Sequence, residues 1–151
     1  FIFNMNTGIL HLHSGLPYLL LILLVASLLG NIMAWQSNKQ ASKTMFTLTK
    51  VTFILSHIQL LVGLFVLFLG ERATAIFSQE GPMKTIMGDS ELRLAFVEHP
   101  LTMIIAIVFL TLGYVGSKKL TGAAQAKRIS IFYGIALLLI LIRIPWQAWL
   151  G

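Results

Sequence analysis

Four long apolar runs divide the chain, at Leu16–Trp35, Val51–Leu69, Phe96–Gly116 and Ile129–Leu150, and polar connections separate them. Each approaches or reaches the roughly 20 residues that carry a helix across about 30 Å of hydrocarbon. No period-two alternation of the barrel-strand kind runs through them, and an open sheet leaves backbone groups unpaired in lipid. The pattern predicts an all-α, integral membrane four-helix bundle forming one domain over residues 1–151.

Polar positions inside the runs set the expected faces. In the second run Thr49, Thr52, Ser56, Gln59 and Gly63 recur at spacings of three and four, a small polar stripe of the kind that lets membrane helices approach closely. His57 lies about 100° round the axis from Ser56, beside the stripe and not on it. In the third run His99, Thr102, Ala106, Phe109, Gly113 and Gly116 share one face. Small residues dominate it, so His99 is expected to point inward. In the fourth, Ala136, Arg143 and Gln147 share a face, and Trp146 and Trp149 suit an aromatic belt.

The first run admits two readings. Ser14 caps a helix with Pro17 in its first turn, leaving His11 and His13 in a surface loop. Alternatively the helix begins near Thr7 and bends at Pro17. His11 and His13 are then about 200° apart, only one faces the bundle, and His11 shares a face with Gly15, Tyr18 and Ile22.

Charge gives the orientation. The connections Gln36–Lys50 and Ser117–Arg128 carry seven Lys or Arg and no acid, whereas all five acids lie at Glu71, Glu80, Asp89, Glu91 and Glu98. The positive-inside rule puts the basic connections in the cytoplasm. Both termini, His11, His13 and His99 then face the outer or periplasmic side of an inner, multi-pass membrane. No secretory signal peptide is read at the start. Lysines flanking spans explain the positive charge, so a nucleic-acid partner is not expected.

With no cysteine, thiolate metal sites, iron–sulfur clusters and covalent haem attachment drop out. The four histidines and Arg143, the one charge read as lying well inside a span, carry the candidate chemistry. At about 1.5 Å per residue, His57 lies about 20 Å below the outer end of its helix, and Arg143 about 12 Å below if its helix ends at Gly151. His13 and His99 are expected to be level, with His57 one or two turns deeper. Two imidazoles on facing helices, an apolar pocket and a cation for the propionates are what a bis-histidine haem b needs. His57 and His99 lead as ligands, with His13 and His11 as further candidates and Arg143 at the propionates. The plainer readings are a hydrogen-bonded packing role for His57, a helix-entry role for His99, a solvated pair at His11 and His13, and an ion pair from Arg143 to Glu98. His57, His99 and His13 are also the candidates for a non-haem metal.

The segments Thr7–Gly15, Ser56–Leu60, Val97–Met103 and Arg143–Trp146 resemble a family of small four-helix membrane proteins of Bacteroidota-type bacteria that carries the name "cytochrome B". The resemblance covers nearly the whole chain. It implies haem b electron transfer, or membership of a respiratory complex, with the four histidines and Arg143 as candidate site residues. The expectation is an electron carrier or subunit near the periplasmic face, with other membrane subunits and quinol as partners. The alternatives are an accessory subunit without haem and a histidine-based metal-binding membrane protein.

Overall fold

The computed structural model describes residues 2–147, with the first side-chain descriptions at Thr7. Among them the secondary structure is entirely helical. Four long helices, α1 (Ile2–Gln36), α2 (Lys43–Leu69), α6 (His99–Ser117) and α7 (Gly122–Arg143), are joined by α3 (Glu71–Phe77), α4 (Pro82–Gly88), α5 (Ser90–Arg93) and a wide π turn at Leu94–Glu98. The four segments Thr7–Gln36, Lys43–Leu69, Ser90–Ser117 and Gly122–Arg143 are long and apolar enough to cross a membrane, as expected of a multi-pass membrane protein. Large apolar residues such as Ile22, Met33, Leu61 and Leu138 lie outward, which suits a lipid solvent.

Helix α1 packs on α2 and α7, and α6 packs on α7 and α2, so the four form a closed ring with α1 diagonal to α6. The α1–α2 and α6–α7 links are short, which makes those pairs antiparallel neighbours. The polar stripe of α2 is a contact face: Thr49 and Thr52 are fully buried and Ser56 nearly so. Thr49 meets Ser27 hydroxyl to hydroxyl at 2.8 Å, and Asn31 Nδ2 donates to Thr49 Oγ1 at 3.0 Å. Across the α2–α7 diagonal the Tyr133 hydroxyl donates to the Thr49 carbonyl at 3.0 Å. Leu24, Ala106, Leu110, Ile129, Tyr133 and Ala136 fill the core. Gly113 lets α6 and α7 close: a Cβ there would lie 2.7 Å from Phe132 Cβ.

The helices outrun the apolar segments that mark them. Backbone bonding continues beyond the hydrocarbon-length run, so α2 starts at Lys43, where the Ser42 hydroxyl accepts from Met45 N–H at 3.1 Å. Helix α1 passes through Pro17 without a break, which selects the second reading of the first run. His11 lies exposed with Gly15, Tyr18 and Ile22, and His13 turns inward.

Helix α7 departs from expectation at its far end. It was expected to run to Leu150; it stops at Arg143 because Pro145 disfavours helical geometry at Ile144, which is extended (φ −65°, ψ 134°). Arg143 therefore sits in the last turn of α7, at the end of the candidate span Gly122–Arg143, with its side chain 45% exposed. Trp149 and the end of the expected fourth run lie outside the described residues.

Candidate functional site: a histidine pair where four helices meet

Proline chemistry builds this end of the bundle. Pro17 has no N–H, so it cannot take the helical bond that the His13 carbonyl, four residues earlier, would otherwise accept. Gln59 of α2 takes it: Nε2 donates to His13 O at 2.9 Å and to His13 Nδ1 at 2.9 Å. Gly63, one turn further along α2, makes room for the ring. A Cβ on Gly63 would lie 3.0 Å from His13 Cε1.

A second proline acts on α6. Pro100 withholds the N–H that Phe96 would accept, and the preceding turn widens to π geometry, with His99 N–H reaching Leu94 O. His99 then faces inward. Its Nδ1–H donates at 2.9 Å to the carbonyl of Arg143, a group left free because Pro145 has ended α7. The two rings meet across the α1–α6 diagonal with centroids 6.3 Å apart and planes 83° apart. All four long helices contribute: His13, Gln59, His99 and the Arg143 carbonyl.

The ring nitrogens define the chemistry. In each ring Nδ1 is engaged, and among the described residues Nε2 has no hydrogen-bond partner. A carbonyl only accepts, so His99 carries its proton on Nδ1 and presents an Nε2 lone pair. Gln59 Nε2 only donates, so neutral His13 carries its proton on Nε2. Gln59 Oε1 is buried with no partner.

His57 is placed elsewhere. Its Nδ1–H donates to Phe53 O at 2.8 Å, and its Nε2 lies 3.2 Å from the Thr111 hydroxyl of α6. That hydroxyl also lies 2.8 Å from Ile107 O. The ring stacks at 4.4 Å on Phe53. Nδ1 is bonded, and Nε2 lies within reach of the one Thr111 proton, for which Ile107 O also competes, so His57 links α2 to α6 beside the polar stripe. Arg143 pairs with Glu98 at 3.7 Å, and Glu98 also binds Arg93 at 3.1 Å. His11 stays on the exposed face.

The structure therefore brings together His13 and His99, adds Arg143 through its backbone, and leaves His57 and His11 apart. Sequence reasoning missed Gln59 as a site residue. The signal was present: a proline four residues after a histidine releases that histidine's carbonyl, and Gln59 sits on the inward stripe of the next helix. Among the described residues no three His, Asp or Glu side chains converge as a metal-binding group. Compared with known proteins, the chain matches no family model, no curated protein and no solved structure.

Proposed function

We propose that the chain is a small cytochrome b-like subunit of a membrane redox complex, and that His13 and His99 ligate its haem. The observation that carries the reading is the pair itself. The two rings, from facing helices, stand with centres 6.3 Å apart, and among the described residues neither Nε2 has a hydrogen-bond partner, so both would be available to hold a haem iron. The His99 Nδ1–H bond to a backbone carbonyl is the second contact that metal-bound histidines ordinarily make.

The fit asks for two changes. His13 has to move its proton from Nε2 to Nδ1, which breaks one Gln59 bond and keeps the other, on the carbonyl released by Pro17. The groups packed around the pair have to give way to admit a macrocycle, since His13 packs directly on Gly63 of α2. A bound haem would supply one-electron chemistry. The chain's own part is to hold two neutral imidazoles, exclude water with apolar helices, and offer Arg143 or Arg93 near the propionates. Quinol or a partner subunit would supply the electrons. The seven unopposed cations at the opposite end orient that end to the cytoplasm of an inner membrane and the pair to the periplasm.

The Gln59 bonds favour a second reading. As placed, they keep the His13 proton on Nε2, and each ring is tied at Nδ1, His13 to Gln59 and His99 to the Arg143 carbonyl. It then acts as a polar clasp holding the helix ends of an accessory subunit without haem. An absorption spectrum of the detergent-purified protein, oxidised and dithionite-reduced, with a pyridine haemochrome assay, separates the two. A Soret band with sharp reduced α and β bands supports the cytochrome. A colourless protein from haem-replete cells rules it out and leaves the clasp.

A further inference from the structure

We propose that the basic end of the bundle holds an anionic phospholipid in a groove between α1 and α2, independently of what the histidine pair binds. The fold gathers there Lys39, Lys43, Lys50, Lys118, Lys119, Lys127 and Arg128, from two connections far apart in sequence. A hydrogen bond from Gly122 N–H to Gln40 Oε1 at 3.2 Å ties those connections together. No acid lies at this end, and the ion pairs among the described residues, Arg93–Glu98 and Arg143–Glu98, are at the other. Lys127 lies 5.6 Å over the Trp35 ring and Lys118 lies 4.6 Å over Tyr114. These contacts fix cations at the helix ends without neutralising them.

The groove has a volume of about 330 Å³ and two kinds of wall. Ser37, Lys39, Gln40 and Ser42 line it with polar groups, and Gly30, Met33, Ala34 and Met45 with apolar ones, in a depression open to the surroundings. A free phosphate would use only the polar groups. A phospholipid uses both, with its phosphate at Lys39 and an acyl chain along the methionines. Each basic residue near such a surface contributes about 1 kcal/mol to anionic-lipid attraction, so removing two should weaken binding about thirtyfold.

Native mass spectrometry of the full chain in detergent, with added phosphatidylglycerol or phosphatidylcholine, tests this. We expect phosphatidylglycerol to be retained about thirtyfold better. A Lys39→Gln/Lys43→Gln variant should lose that preference, and Lys84→Gln at the other end should keep it. Ala34→Leu, which fills the groove with charge unchanged, should weaken retention as well. Equal retention of the two lipids, or a preference that survives the double substitution, would overturn the proposal. Displacement of the lipid by inorganic phosphate would assign the site to a free anion instead.

Discussion

His57 and the His13–His99 pair lie in one bundle under opposite constraints. His57 lies deep in the apolar run, with one nitrogen on its own helix and the other on Thr111 of α6. The pair lies at one end, where prolines and a helix terminus release carbonyls, and among the described residues neither ring has a partner on Nε2. Depth in an apolar segment therefore does not by itself say which histidine keeps a nitrogen free of neighbouring protein groups among the described residues. What separates a packing histidine from an available one is whether both nitrogens are already paired.

The comparison can be broken most forcefully at Gly113. Gly113→Leu drives a side chain into Phe132 and Tyr133. We expect about 1–3 kcal/mol of destabilisation from overpacking, read by thermal unfolding in detergent, together with loss of any bound haem as α6 shifts. Thr111→Val sharpens the contrast. It strips the partner from His57 Nε2, and interhelical hydrogen bonds in membranes contribute about 0.6 kcal/mol, up to about 1.7. Stability should fall within that range, with cofactor content unchanged. Gln59→Leu tests the pair from the other side. We expect a loss of about 1 kcal/mol from the unpaired His13 carbonyl, together with stronger haem retention, because the donor that holds the His13 proton on Nε2 is gone. Weaker retention would show that Gln59 helps to hold the ring for iron. Glu98→Gln should have the smallest effect. Its two arginine pairs are partly exposed, and such pairs contribute about 0–1 kcal/mol. Thermal unfolding at low and high salt should show little difference between this variant and the parent.

Much of the architecture was legible in the pattern of residues. The stripe Thr49, Thr52, Ser56, Gln59 and Gly63 is the α2 contact face, and the inward reading of His99 with Ala106 and Gly113 holds. The level placement of His13 and His99 follows from helix rise once α1 is allowed to pass Pro17. Helix ends were less legible, because hydropathy marks the hydrocarbon and not the hydrogen-bonded length. That is why hydropathy carries α7 on through Pro145, whereas the helix ends at Arg143. The Arg143 carbonyl then could not be foreseen as the partner of His99, since it becomes free only where the helix stops. The pairing of His57 with Thr111 depends on the register of α2 against α6, which a single helix's periodicity does not contain.

The most direct test compares reduced absorption spectra of the parent with His13→Ala, His57→Ala and His99→Ala, each purified from haem-replete cells. The account predicts sharp α and β bands in the parent and in His57→Ala, and their loss in His13→Ala and His99→Ala. Bands that survive in either of the latter two variants, or disappear only in His57→Ala, would contradict it.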